Sequence, residues 1–294
     1  MVALGAVLGT APTGCGMDGA ATGSGAADVG AHAPQRTALP VPPSPSPSVE
    51  APPAPAPSKP PVLAPGPAGL TPVFERAPTT ADKVVALTFD ADMTADEGPR
   101  AEAGEHFDNP GLIALLRRLK VPSTVFMTGR WAEQYPEQAR SIGTDPLFEV
   151  ANHSYSHYAF ASPCYGLPTV AEDDMRADVE RASAAFRRAG VRNTVPYFRF
   201  PGGCHDDASR RALAPAKVTA VQWDVVSGDA FATDADAVAE QVLAGVEPGS
   251  LVVMHCTRSA APVTDEAVRR VVPELRERGY RFVKVSDLMR TRPS

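Results

Sequence analysis

The chain is poor in the features that most quickly class a protein. Cysteine is scarce: four in 294 residues, at Cys15, Cys164, Cys204 and Cys256. That is too few for a disulfide scaffold, and none of the spacings is the C-x-x-C of a thiolate zinc site. Basic residues are outnumbered, 28 Lys and Arg against 34 Asp and Glu, for a formal net charge of -6. A nucleic-acid partner needs a basic field to meet its phosphates, so that class is excluded, and the chain has no polybasic handle for anionic lipid. No apolar run approaches the ~20 residues that span a bilayer. No internal repeat is visible.

Proline, by contrast, is abundant and unevenly spread: 31 in all, 15 of them between Pro34 and Pro72. Such a tract loses backbone donors and has its φ fixed, so it cannot build a core. Residues 16–33 are Gly- and Ala-rich, and together residues 16–72 are expected to form a disordered, semi-rigid spacer. Ahead of it, residues 2–8 read VALGAVL, like the apolar part of a signal peptide, although no Lys or Arg precedes them. Thr13-Gly14-Cys15 fits a lipoprotein cleavage site and Pro12 does not. The expectation is an exported, extracellular or cell-surface protein, with membrane attachment through a lipidated Cys15 as its extension. The competing reading is a plain tail with an incidental cysteine.

From residue 73 the composition changes, and residues 73–294 alternate strand-like and helix-like stretches. Residues 84–89 (VVALTF), 121–128, 195–200, 218–223 and 251–255 read as short buried strands, with 280–285 (YRFVKV) as a closing strand. Residues 111–120, 170–188 and 263–278 carry apolar side chains at three- and four-residue steps, and Gly190 and Gly279 stop the last two. Alternation of this kind predicts an α/β fold on a parallel sheet, open or closed into a barrel.

Polar residues then collect at the C-terminal ends of the strands, where such folds place their sites. After VVALTF come Asp90 and Asp92; after residues 148–151 come His153 and His157; after Tyr197-Phe198 comes Arg199; beyond Trp223 come Asp224 and Asp229; and LVVM delivers His255. A four-residue separation places His153 and His157 on one face of a helical turn, a spacing suited to one divalent ion. Asp92 supplies a third, hard ligand and leaves a position open for water. Asp90, two residues back on an extended chain, shares its side. With Asp92 on a metal, Asp90 is left as a base, and Arg199 is placed to pair with it. His255 is a second acid/base group, with Asp229 behind it to fix its tautomer and raise its pKa. Bland alternatives stand beside these: a helix N-cap at Asp92 or Thr94, a turn at Asp229, a satisfied buried histidine at His255.

The ordered set TFDAD, HSYSH, RFPGG, WDVVSGD and VVMH resembles the five motifs of the polysaccharide deacetylases, carbohydrate esterase family 4, with the NodB-homology domain. The resemblance spans about residues 82–288. It implies a distorted (β/α) barrel and a divalent metal, most often Zn2+, with Co2+ as the alternative. It further implies Asp92, His153 and His157 as metal ligands, Asp90 as base, Arg199 as its tether, His255 as acid backed by Asp229, and the Gly202 N–H as an oxyanion donor. The sequence departs from the pattern at Ala91, which separates the two aspartates. It also has Gly202 and Ala230 where the family carries aromatics, and Val253 where it carries Leu. The lost aromatics imply a differently shaped sugar groove.

The function expected is therefore metal-dependent removal of N-acetyl groups from a cell-wall polysaccharide by a monomer, peptidoglycan first. Chitin or poly-N-acetylglucosamine, an O-acetyl xylan esterase, and a carbohydrate-binding pseudoenzyme are the alternatives. If Cys15 is lipidated, one of the other three cysteines is odd. Cys164 and Cys204 lie in Pro- and Gly-rich loops after site motifs and are the expected pair. Cys256 follows a buried strand and is expected to pack as a small apolar residue.

Overall fold

A computed structural model of the chain describes residues 59–78 and 82–291. Its strands are β1 (Val73–Phe74), β2 (Val84–Ala91), β3 (Ser123–Met127), β4 (Phe148–Asn152), β5 (Thr194–Phe198), β6 (Thr219–Val221), β7 (Val225–Val226), β8 (Ser250–His255) and β9 (Arg281–Phe282). The helices are α1 (Gly98–Glu102), α2 (Pro110–Leu119), α3 (Gly129–Gln134), α4 (Pro136–Gly143), α5 (Met175–Ala189), α6 (Asp207–Leu213), α7 (Ala235–Gly245), α8 (Thr264–Glu277) and α9 (Val285–Leu288). The expected signal segment, Cys15 and residues 16–58 of the spacer lie outside the described residues.

The strand at the centre is β2. Its sequence, VVALTFDA, is buried at all eight positions, as a strand covered on both faces must be. It pairs in parallel with β3, β8 and β9. The sheet runs β1-β6-β5-β4-β3-β2-β8-β7, with β9 also on β2. Parallel pairing throughout, curled with helices packed against it, is the distorted (β/α) barrel that the alternation of elements predicts. The register sets Asp90 opposite Phe126 on one side and His255 on the other, and Met127 opposite Asn152. Five strand ends that carry polar residues thus lie side by side.

The helices follow from their sequences. Pro110 opens α2, the Asn109 side chain accepts from Leu112 N–H, and Leu112, Ile113, Leu115 and Leu116 are buried. Ala267, Val268, Val271, Val272 and Leu275 of α8 join the same core. Gly190 ends α5 at φ 83, where its N–H reaches Phe186 C=O. That helix is shorter than the periodicity of residues 170–188 predicts: Val170 N–H donates to Ala159 C=O (2.9 Å), and Glu172–Asp174 form a 3-10 turn before Met175.

Two expectations need correction. The closing strand is only Arg281–Phe282 and gives way to α9. The Val285 N–H is taken by Thr124 Oγ1 (2.9 Å) and the Ser286 N–H by Glu149 Oε1 (3.0 Å), so side chains of β3 and β4 replace a ladder. The folded domain also begins before residue 73. Leu63 N–H donates to Thr219 Oγ1 (3.0 Å), Tyr197 Oη to Pro61 C=O (3.0 Å), and Leu70 and Thr71 are buried.

A chain starting at Lys59 should therefore be more stable than one starting at Val73. Losing the burial of Leu70 costs ~2 kcal/mol, which for a domain of this size lowers Tm by about 4–8 °C. Calorimetry of the two truncated proteins checks this, and equal Tm values would mean that residues 59–72 add nothing.

Candidate active site

Arg199 organises the site. It follows β5, has no solvent exposure, and every polar contact of its guanidinium is made by protein. Nη1 donates to Asp90 Oδ1 (2.6 Å), Nη2 to Thr88 Oγ1 (2.9 Å) and Gln222 C=O (3.3 Å), and Nε to Val221 C=O (3.1 Å). The ring of Phe126 lies 3.8 Å from its Cζ and that of Trp223 5.3 Å. Burial lowers the arginine's pKa, and the charge of Asp90 and its hydrogen bond oppose that. Such a pair is strongly destabilised if either member is removed alone.

The backbone of the same arginine holds the first histidine. His153 Nδ1 donates to Arg199 C=O (2.9 Å), which leaves the Nε2 lone pair facing Asp90 Oδ2 across 3.6 Å. Burial pushes the His153 pKa down to about 4, so the ring is neutral. His157 Nε2 faces Asp92 Oδ2 at 3.5 Å, and the two imidazole centroids are 5.0 Å apart. The histidines do meet, but not on a helical turn. Ser154 (φ 72) and His157 (φ 56) are left-handed, and the loop is tied by His157 N–H to Ser154 Oγ (2.9 Å).

Burial works to raise the pKa of Asp92, but electrostatic attraction to the imidazoles of His157 and His255 and a hydrogen bond from Thr257 leave it lowered. Thr257 Oγ1 donates to its carboxylate, and Asp92 N–H is directed at the same oxygen (3.3 Å). The N-cap of the turn that follows is Thr94, not an aspartate.

On β8, the neighbour of β2, His255 is held by Asp229. Its Nδ1 lies 2.8 Å from Asp229 Oδ1, and its backbone N–H 2.7 Å from Oδ2. Ser227 Oγ (2.8 Å) and Thr264 Oγ1 (2.7 Å) complete the carboxylate's partners. Burial favours neutral forms of both groups, but their mutual attraction and hydrogen bond prevail. The Asp229 pKa is lowered, and that of His255 is raised to about 10, helped by Asp92 and Asp90. His255 is therefore an imidazolium at neutral pH with Nε2–H uncommitted to Asp229. Cys256, next in the chain, is buried and free, with its thiol pushed up to about 12 by burial.

Cys164 and Cys204 form a disulfide between the loops after β4 and β5. Gly202 lies beside it at φ 62, where a Cβ would meet Cys164 Sγ at 2.6 Å. Glycine is thus required there twice over, by conformation and by space. Of the nine residues singled out in the sequence, eight lie at the C-terminal ends of the strands or in the loops that follow them; Asp224 instead accepts from Ser250 Oγ (2.8 Å) and Leu251 N–H at the start of β8. Thr88, Ser227, Thr257 and Thr264 were missed. Thr88 and Thr257 stand two residues from Asp90 and His255, the same-face spacing of an extended chain.

Among the described residues no three His, Cys, Asp or Glu side chains close round a single point. What is present is two imidazole Nε2 atoms each opposed to a carboxylate oxygen at 3.5–3.6 Å. For His153, a neutral ring whose Nδ1 is already the donor, that is a lone pair against an anion, which a cation relieves. One ring nitrogen fixed by a carbonyl and the other free is also how a metal-ligating histidine is held. The donor set thus fits a divalent cation.

Comparison with known proteins agrees with this geometry. The polysaccharide deacetylase family model matches residues 77–221. A chitooligosaccharide deacetylase from Sinorhizobium fredii is 29% identical over 198 residues, covering 64% of this chain and 86% of that protein. A peptidoglycan-N-acetylglucosamine deacetylase from Bacillus cereus is 27% identical over 209 residues, covering 70% and 68%. Among solved structures, a family 4 carbohydrate esterase from Streptomyces lividans in complex with acetate superposes with a TM-score of 0.54 at 26% identity, covering 68% and 91%. A CE4 family pseudoenzyme from Bacillus anthracis shares the fold, with a TM-score of 0.61 at 23% identity, covering 79% and 72%. Over residues 77–221 the chain matches the polysaccharide deacetylase family, and the relatives named above are deacetylases.

The Asp229–His255 pair predicts a pH signature. In metal-free protein the His255 imidazole should titrate near about 10, and lower in Asp229→Asn, because burial is then less opposed. The folded value lies above the usual 6.5, so the stability it contributes is fully present below 6.5 and is lost as pH rises through about 10. Asp229, held below 3.8, contributes above that value and loses its share as pH falls through its lowered pKa. The Tm gap between wild type and Asp229→Asn should therefore be widest near about pH 5–6 and narrow by about pH 10. NMR titration with calorimetry reads both, and a pH-independent gap refutes the coupling.

Proposed function

We propose that the protein hydrolyses the N-acetyl groups of a cell-wall polysaccharide, with N-acetylglucosamine or N-acetylmuramic acid of peptidoglycan as the substrate. The observation that carries this is the opposition, across neighbouring strands in register, of two acid/base pairs with different partners. Asp90 is bound by a buried arginine and His255 by a buried aspartate. The relatives named as deacetylases of peptidoglycan and of chitooligosaccharides support the substrate class.

Asp92, His153 and His157 would hold a divalent cation, with zinc favoured by two imidazoles and one carboxylate. When bound, it supplies Lewis-acid polarisation of the acetyl carbonyl and a more acidic water. Asp90, anchored through Oδ1 by Arg199, accepts the proton of the attacking water on Oδ2. The Gly202 N–H donates to the oxyanion that develops on the carbonyl. His255 gives its Nε2 proton to the departing amine, while Asp229 keeps hold of Nδ1–H. Acetate and a free amino sugar result. The acid arrives already charged because Asp229 raises its pKa, and the base keeps its position because Arg199 cannot move.

Export to the cell surface belongs to the same proposal, since peptidoglycan lies outside the membrane. Its support is the apolar run at residues 2–8, the Pro-rich tract and the disulfide, which persists in oxidising compartments.

Protein purified without chelator should carry about one zinc-like ion per chain. His153→Ala/His157→Ala should carry less than about a tenth of one. Elemental analysis decides, and full occupancy in the double variant places the ion elsewhere.

Asp90→Asn and His255→Ala should each lose ~10²–10⁴-fold in deacetylation of an acetamide. The leaving group separates them. An amine must be protonated as it departs, whereas an aryl oxide leaves unaided, so His255→Ala should be much less impaired on an aryl acetate and Asp90→Asn impaired on both. Equal losses for His255→Ala on the two substrates would remove its role as the acid.

A further inference from the structure

Two of the large apolar side chains most exposed among the described residues are aromatic: Tyr165 at 90% and Phe231 at 83% relative exposure. Both have left-handed backbones, at φ 44 and φ 59. Tyr165 and Gly166 (φ 78) are the central residues of a turn closed by Leu167 N–H to Cys164 C=O (2.8 Å). Two positive φ values in succession define the type I′ turn, which selects Asn, Asp or Gly at its first central position. Phe231 is third in the turn closed by Ala232 N–H to Asp229 C=O (3.1 Å), and positive φ there likewise selects Gly or Asn. A bulky aromatic is a costly choice at either place, and neither ring gains burial in return.

Both turns start from the machinery of the site. The first begins at Cys164, whose disulfide partner Cys204 follows Gly202 by two residues, and Tyr165 Cδ2 lies 3.3 Å from where a Cβ on Gly202 would be. The second begins at Asp229, 2.8 Å from His255 Nδ1, and Phe231 N–H is pinned to Ala260 C=O, five residues beyond His255. One turn therefore lies beside Gly202, and the other starts at the carboxylate that holds His255.

We propose that Tyr165 and Phe231 are the sugar-binding platforms of this enzyme, stacking against the apolar C–H faces of pyranose rings in a glycan chain. This rests on the deacetylase reading of the site. An exposed ring of two torsions binds at small entropic cost, and a ring fixed on a tight turn smaller still. A pyranose offers a flat apolar face of matching size, whereas an isolated acetyl group offers none. The platforms therefore act on chain length, not on the bond cleaved.

The test uses full-length zinc-loaded protein with Tyr165→Asn, Phe231→Gly and the double variant. Each replacement is the residue type that its turn prefers, so Tm should hold or rise. Two readouts are taken: the ratio of kcat/KM on a hexamer of N-acetylglucosamine to that on 4-nitrophenyl acetate, and, in chelated protein, retardation by soluble glycol chitin in a native gel. In the double variant the ratio should fall about tenfold or more, and retardation should be lost. Tyr165→Phe, which keeps the ring, should behave as wild type. An unchanged ratio with unchanged retardation overturns the proposal, as does a wild type that glycol chitin does not retard. A wild type that is retarded but releases no acetate sinks the deacetylase reading alone, and loss of retardation in the double variant then still supports the platforms.

Discussion

A guanidinium with no access to water must have its charge and its donors answered by protein, and Arg199 meets that demand in a way that sets the whole site. Its side chain draws on β2 through Thr88 and Asp90, on the end of β6 through Val221 and Gln222, and on β3 through the face of Phe126. Its carbonyl holds His153. One residue thus fixes Asp90 through its head and His153 through its backbone, so the two cannot shift independently. Replacing it by lysine would keep a charge but lose the planar fork that reaches two strands at once.

The second constraint is separation of roles. Two ionisable groups close together titrate as one unless their surroundings drive them apart. Here Asp90 sits with a permanent cation, and His255 sits with an anion that three further donors stabilise: the His255 N–H, Ser227 Oγ and Thr264 Oγ1. The register partners on β2 and β8 thus carry opposite electrostatic biases, a cation beside one and an anion beside the other. Hydrolysis of an amide needs a base and an acid in the same turnover, and the environment supplies that bias before any substrate arrives.

Much of this was legible in the sequence. Strand cores such as VVALTF and LVVM are buried on both faces, and a run of that kind has few other readings. Polar residues at strand ends then mark one rim, so the residues of the site could be gathered without coordinates. The local path was less accessible. His153 and His157 have helical spacing yet sit in a loop with two left-handed residues, because His157 N–H bonds to a side chain and not to a carbonyl one turn back. Residues 283–285 look like strand, but the N–H groups of Val285 and Ser286 go to Thr124 and Glu149, contacts made across more than 130 residues that no local pattern carries. α3, α4 and α7 were overlooked for a similar reason. Each is short or weakly patterned, and each is fixed by what it packs against. The early start of the domain was hidden by proline, which rules out regular ladders but not a chain laid along a surface.

The pairing of β2 also bears on when the enzyme comes into being. Its three partners are β3, β8 and β9, and the last two lie some 160 and 195 residues further along the chain. Contacts of that span close large loops before they are rewarded, which makes folding slow and late. A nascent chain that has produced Asp90 still lacks the strand beside it, His255 at that strand's end, and the segment that pairs with the start of β2. Competence therefore comes only once β8 and β9 have been made. Until then one edge of β2, the centre of the sheet, stays open and apolar.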